Sequence, residues 1–248
     1  VAFLEDHHRE RRDRPFFLYL ALPAPHTPWL PLSEFQGVSG AGMYGDFTAQ
    51  VDDLFGEVTT TLERLGYARN TLVIFSSDNG PVWYPKDAER FGHRSSHVYR
   101  GMKFDLWEGG HRMPFVARWP GRIPAGSVSD DLLSFTDLLS TFAAVVGREL
   151  PEGTGADSQN LLPALLGAAE ASPIRNTMVH YARQGDLAIR QGQWKLIPAA
   201  DGGELYNLEE DIAETRNLYR ERPEVVQRLR AALDNHRSRL PGPAQPPR

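Results

Sequence analysis

Asp78-Asn79-Gly80 sets a carboxylate, a carboxamide and a glycine side by side, directly after the apolar run Leu72-Val73-Ile74-Phe75. Asp and Asn offer hard oxygen donors of the kind a calcium ion accepts, and glycine lets the backbone pass close to whatever they hold. The same three residue types dominate tight turns, so taken alone the tripeptide reads first as a turn. His26 lies in Pro23-Ala24-Pro25-His26-Thr27-Pro28-Trp29, just past the end of a second apolar run, where taken alone it reads as a loop histidine satisfied by backbone. Lys103, in Arg100-Gly101-Met102-Lys103, is a point charge that can reach an anion from a glycine-flanked turn or stand in solvent. Between them, residues 81–99 carry His93, Arg94 and His97. A polar connection of that length is more often functional than a short one, which makes His97 and Arg100 candidate substrate contacts.

These residues need rigid elements behind them. Leu72 to Phe75 shows no period-2 alternation, the pattern of a strand buried on both faces in a parallel α/β sheet, where each side chain contributes about 1.5–3 kcal/mol on burial. Ligands in such sheets bind outside the carboxyl ends of the strands, which is where Asp78 and Asn79 fall. Pro15-Phe16-Phe17-Leu18-Tyr19-Leu20-Ala21-Leu22 predicts a second buried strand, ended by the prolines around His26. Phe47, Val51, Leu54, Phe55, Val58, Leu62 and Leu65 recur at three-and-four spacing, one face of a helix closed by Gly66. Helix, short turn, buried strand is the α/β unit. Phe115 to Trp119 predicts another strand, and Leu138, Leu139, Phe142, Val145 and Val146 a helix closed by Gly147.

From Thr177 the chain changes style. Met178–Tyr181, Leu187–Arg190, Trp194–Ile197 and Glu204–Leu208 are four short strands joined by polar turns, a small antiparallel sheet. A last helix from about Pro223 buries Val225, Val226, Leu229, Ala232 and Leu233, before a proline-rich tail from Pro241. Trp194 and Tyr206 belong to the core of that sheet. His7 and His8 sit in the charged run Glu5 to Arg14 and read as solvated surface.

At 248 residues, 41% hydrophobic and with a net charge of −5, the chain can bury a full core and gives no electrostatic case for nucleic acid. No apolar run approaches the roughly 20 residues that span a bilayer. Cysteine is absent, which excludes disulfides, thiolate metal sites and a cysteine nucleophile in this stretch. The chain opens on Val1 with no signal-peptide pattern and reads as starting inside something longer.

Pro15 to Leu20 with Pro25-His26-Thr27-Pro28, Asn70 through Gly80, Arg100 to Lys103 with Trp107-Glu108-Gly109-Gly110-His111-Arg112, and Arg118 to Gly126 together resemble the formylglycine-dependent sulfatases of the alkaline-phosphatase superfamily. The order and rough spacing match. Ser134 to Thr141 resembles a further helix motif of that family, with Ser140 where a proline is usual, and Leu161 to Gly167 its short leucine-rich segment. The resemblance implies an α/β fold, an alkaline-phosphatase-like, mostly parallel sheet flanked by helices and incomplete here, over residues 1–170. It implies a C-terminal subdomain over 171–248, an antiparallel sheet with a packed helix.

That family cleaves sulfate esters with a hydrated formylglycine held on a divalent cation, usually calcium. One hydroxyl attacks sulfur, the alcohol leaves, and sulfate is released as the aldehyde re-forms. By resemblance Asp78 and Asn79 are metal ligands, His26 meets the ester near its leaving oxygen, and Lys103 binds sulfate. Glu108 and Arg112 look like scaffold residues forming an internal ion pair. The resemblance implies a sulfate ester substrate, either an aryl sulfate or a sulfated carbohydrate, and a periplasmic or extracellular setting. The family's nucleophile arises from the first residue of a Cys/Ser-x-Pro-Ser-Arg motif, which this sequence lacks. The chain therefore reads as a C-terminal portion whose formylglycine comes from a missing N-terminal segment, inactive by itself. A phosphodiesterase or phosphonate monoester hydrolase of the same superfamily, and a non-catalytic sulfated-glycan-binding relative, stand as alternatives.

Overall fold

The computed structural model describes residues 1–168, 173–182, 185–200 and 202–239, so the expected tail from Pro241 lies outside the described residues. The elements in chain order are α1 (Ala2–Glu10), α2 (Gly42–Arg64), β1 (Val73–Ser76), α3 (Pro85–Phe91), α4 (Glu108–His111), β2 (Phe115–Arg118), α5 (Asp137–Val145), α6 (Leu162–Leu165), β3 (Thr177–Tyr181), β4 (Leu187–Gln191), β5 (Trp194–Ala199), β6 (Gly202–Asn207) and α7 (Pro223–Arg239). They divide into two compact units. One comprises Val1–Ile74, Trp83–Arg94 and Ala117–Arg122, and the other Phe75–Val82, Ser95–Val116 and Ile123–Arg248.

In the first unit α2 covers the predicted apolar face and starts five residues earlier, at Gly42. Asp46 explains that extension. Its buried carboxylate accepts from the Gly37 and Ser39 amides at 2.7 and 3.0 Å and from Ser39 Oγ at 2.7 Å, folding the glycine-rich stretch back over the helix start. Those donors, the Gly37 amide foremost, hold the Asp46 carboxyl below the usual range. His7 departs from expectation, being 4% exposed with Nδ1 3.0 Å from the Tyr67 hydroxyl and its ring edge-on to Phe16 and Tyr67. The helical period overrides the charged surroundings, since His7 follows Leu4, three residues earlier, onto the inner face of α1.

The predicted strand over 15–22 does not form. Those residues make no strand, and Phe17 and Tyr19 are 72% and 81% exposed. An apolar run becomes a strand only in register with a neighbouring strand, and the sheets among the described residues do not include it. The same non-local requirement acts on β1, which is half-buried along its length rather than buried, with β2 its one sheet neighbour among the described residues. Within 81–99, residues 85–91 are helical. Pro85 at the first helical position and Gly92 at φ 62° after the last are the start and stop signals that mark it.

The second unit is organised around the sheet β3-β4-β5-β6, antiparallel throughout. Val179 faces Ile189, Ile189 faces Leu196, and Leu196 faces Leu205, a continuous apolar row on one face. Leu218, Val225, Val226, Leu229 and Leu233 pack onto it, so α7 covers that side. Because side chains alternate, the neighbouring residues His180, Arg190, Lys195 and Tyr206 project from the other face. The predicted four strands and the final helix are thus present, and the polar face has its own partner in α4.

Candidate active site

Past the end of β1 the chain turns through Asp78 and Asn79. The Asn79 amide donates to Asp78 Oδ1 at 2.5 Å, and Ser77 Oγ donates to the Asn79 carbonyl at 3.1 Å. Asn79 thus presents its Nδ2 to Asp78, while the two side chains carry carboxylate and carboxamide oxygens from adjacent residues. Gly80 is buried. Its amide donates to the Gly110 carbonyl at 3.0 Å, and a Cβ at this position would fall 1.8 Å from the Gly109 carbonyl oxygen. Only glycine permits that approach.

Lys103 belongs to the same assembly. Its amide donates to the Pro81 carbonyl at 2.8 Å, one residue beyond Gly80, and its ammonium lies 5.3 Å from the Phe104 ring centre. Gly109 donates to the Arg100 carbonyl at 2.7 Å, and a Cβ on Gly109 would meet the Gly101 and Arg100 carbonyls at 2.4 and 2.5 Å. The Asp78-Asn79-Gly80 turn, the Arg100–Lys103 strip and α4 are therefore one interlocked piece of backbone.

Behind it lies a buried charge cluster. Glu108, Lys195 and Glu214 are each at most 2% exposed. Lys195 Nζ stands 3.0 Å from Glu108 Oε1 and 2.9 Å from Glu214 Oε1. Glu214 Oε2 accepts the Glu108 amide at 2.6 Å, capping α4. The internal ion pair expected of Glu108 and Arg112 is present at 3.1 Å, with Arg190 at 3.8 Å as a third cation. Burial opposes the Glu108 charge, but the Lys195 ammonium and its hydrogen bond prevail and hold the carboxyl at about 2. Glu214 goes the other way, burial outweighing Lys195 and raising its carboxyl. His180 lies at ring-centre distance 4.7 Å from His111, and burial followed by the nearby Lys195 charge pushes it down to about 3. It is a neutral imidazole.

Arg100 extends from that cluster. Its guanidinium donates to the Tyr206 hydroxyl at 2.8 Å and the Glu214 carbonyl at 3.2 Å, lies 3.6 Å from Glu204, and stacks 3.8 Å above the Trp107 ring. Tyr206 is 1% exposed, and Trp194 packs against the apolar core. His97 is exposed, in the left-handed region at φ 53°. His26 lies in the first unit, exposed, with Nδ1 2.7 Å from the Thr27 carbonyl. A carbonyl only accepts, so Nδ1 carries a proton and Nε2 is the nitrogen left to exchange one.

The sequence reading missed Lys195 and Glu214. A lysine inside a strand is ordinary, and nothing local marks it as buried. The clue lies in register, because Lys195 sits opposite Tyr206 on the face away from the apolar row.

Oxygen-only donors at Asp78 and Asn79 fit a hard cation such as calcium, but two ligands are a minority of the six to eight that calcium takes. Among the described residues no group of three or more His, Asp or Glu converges as a metal site. The fit is that of part of a site.

A loop of hard oxygens with a lysine tied to its backbone beyond a strand end is an arrangement able to meet a cation or an anionic group. The sulfatase family model matches residues 1–148, and that of the C-terminal region of N-sulphoglucosamine sulphohydrolase matches residues 102–239. This chain belongs to the sulfatase family. It is 35% identical to an N-acetylgalactosamine-6-O-sulfatase of Bacteroides thetaiotaomicron over 92% of its own length and 48% of that protein's. A solved structure concerned with the metabolism of multiple glycosaminoglycans by the same bacterium superposes at TM-score 0.86 with 35% identity, covering 96% of this chain and 52% of that one. A protein solved in complex with a neocarrahexaose gives 0.79 with 27% identity over 94% and 52%. The chain spans about half the length of these relatives, and its fold is the alkaline-phosphatase-like one of sulfatases.

Proposed function

We propose that this chain is the C-terminal portion of a sulfuric ester hydrolase acting on a sulfated carbohydrate or an aryl sulfate, with the formylglycine nucleophile supplied by a segment N-terminal to it. The observation that carries the reading is the backbone lock between Gly80 and Gly110, which fixes Asp78 and Asn79 beside the Lys103 strip. Carbohydrate is favoured because an N-acetylgalactosamine-6-O-sulfatase is 35% identical over 92% of this chain. An exported, periplasmic or extracellular enzyme suits such substrates, and no helix among the described residues is long and apolar enough to cross a membrane.

In this reading Asp78 and Asn79 supply part of a calcium site. A bound calcium ion would offset negative charge on the sulfate oxygens. Lys103, half-buried here, adds a second positive charge against the sulfate. The proton for the leaving oxygen is assigned to His26 on the family resemblance alone; the Thr27 carbonyl holds its Nδ1–H, which leaves Nε2 for that exchange.

The test joins this chain to an upstream segment carrying the nucleophile motif and assays a sulfate ester and a phosphate diester side by side. Preferential sulfate hydrolysis, lost by about a hundredfold or more in Lys103→Ala, supports the reading. Preference for the phosphate diester, or binding of a sulfated sugar without turnover, overturns it.

A further inference from the structure

Lys195 is a full positive charge with no exposed surface, set in a strand of the C-terminal sheet and far from Asp78 in sequence. Removing an ammonium from water costs several kcal/mol, and a buried ion pair is a poor source of net stability compared with apolar packing. An apolar residue would have filled the place more cheaply. What the charge does is directional. It draws Glu108, at the head of α4, and Glu214 onto one point, and Glu214 in turn caps the Glu108 amide at 2.6 Å. Glu214 adopts a left-handed backbone at φ 55°, a conformation a non-glycine residue holds only when its surroundings over-determine it.

The next two residues of α4 are the glycines that touch the candidate site. Gly109 bonds the Arg100 carbonyl, Gly110 accepts from Gly80, and the Gly109 carbonyl occupies the space a Cβ on Gly80 would need. Arg100 is itself anchored to the Glu214 carbonyl and to Tyr206. Glu108 and Glu214, the groups Lys195 gathers, thus lie on one route from the sheet to the Asp78-Asn79-Gly80 turn, beside the separate ties from Tyr206 to Arg100 and from Glu204 to Trp107.

We infer that Lys195 is a positioning residue: by clamping Glu108 and Glu214 together it sets the Gly109-Gly110 carbonyls that hold Asp78 and Asn79 in place. As a statement about the active site this rests on the function proposed above, but its mechanical part stands on the contacts alone.

The experiment replaces Lys195 by Met, of similar length and uncharged, in the full chain and follows hydrogen exchange residue by residue. The Gly80 and Gly109 amides are expected to exchange about tenfold faster while the β5–β6 ladder amides stay within about twofold, since loss of the clamp opens the turn locally. Unchanged Gly80 and Gly109 amides, or equal acceleration throughout the sheet, overturn the positioning role. Glu214→Gln keeps an acceptor for the Glu108 amide but removes one charge from the clamp. It is expected to give a smaller acceleration at the same two amides, and it carries the test if Lys195→Met does not fold.

In the joined, nucleophile-bearing protein, Lys195→Met is expected to lower kcat about tenfold at limiting calcium and to recover most of it as calcium is raised, with KM nearly unchanged. Asp78→Ala is not expected to recover. Loss of turnover that added calcium does not restore overturns the link between clamp and site. Should the exchange pattern appear but the unsubstituted joined protein bind no calcium and turn over no ester, the clamp stands and the sulfatase reading falls.

Discussion

Three glycines meet at the candidate site with no room for a side chain. The Cβ of Gly80→Ala would lie 1.8 Å from the Gly109 carbonyl oxygen, and that of Gly110→Ala 2.3 Å from the Asp105 carbonyl oxygen. Both obstacles are backbone, which cannot swing aside as a long side chain does. Overpacking usually costs about 1–3 kcal/mol, and Gly80→Ala should reach at least the upper end of that range in urea unfolding. An unchanged midpoint would contradict the interlock. At this scale the sequence was informative where chemistry is local. Asp78 and Asn79 stand out because they follow an apolar run, whereas the Glu108–Arg112 pair is legible only through the family resemblance. Lys195 and Glu214 did not stand out, since they reach Glu108 across 87 and 106 positions, and no period or spacing encodes a meeting at that range.

Among the elements, the C-terminal sheet carries the heaviest apolar packing. Leu229 is fully buried between α7 and the row Ile189, Leu196 and Leu205, and Leu229→Ala should cost about 2–5 kcal/mol, read from thermal or urea unfolding. The opposite face of the sheet sets an acid limit. His180 is neutral when folded, with its value near 3 against an ordinary 6.5. Below 6.5 the unfolded chain takes up a proton that the folded chain refuses, so stability falls as pH drops from about 6.5 toward 3. Glu108, held at about 2 rather than 4.5, adds a second loss below about 4.5, while the raised Glu214 carboxyl acts in the opposite sense. Neither His180 ring nitrogen has a hydrogen-bond partner among the described residues. His180→Phe should therefore fold and flatten the pH dependence of unfolding free energy between about 6.5 and 4.5 by up to one proton. An unaltered slope would remove His180 from the account. Elements built from neighbouring segments, the hairpins β3 to β6 and the amphipathic α2 and α7, were legible in the sequence. The strand predicted over 15–22 and the burial predicted for β1 were not, because sheet burial depends on remote strands that a local pattern does not contain.

For the whole molecule, the fold follows that of sulfatases over 96% of the chain and about half of the relative. Phe17, Tyr19 and Leu20 are exposed here although the run they belong to is apolar. The central claim is narrower. Asp78 and Asn79 are proposed to contribute to a calcium site on which sulfate ester cleavage depends. The measurement that meets it most directly is calcium content per molecule, taken with turnover of a sulfate ester, in the joined, nucleophile-bearing protein and in its Asp78→Ala variant. The account predicts about one tightly held calcium ion in the parent, with the variant losing both the ion and turnover by about a hundredfold or more. A variant that keeps its calcium and its rate would contradict the claim.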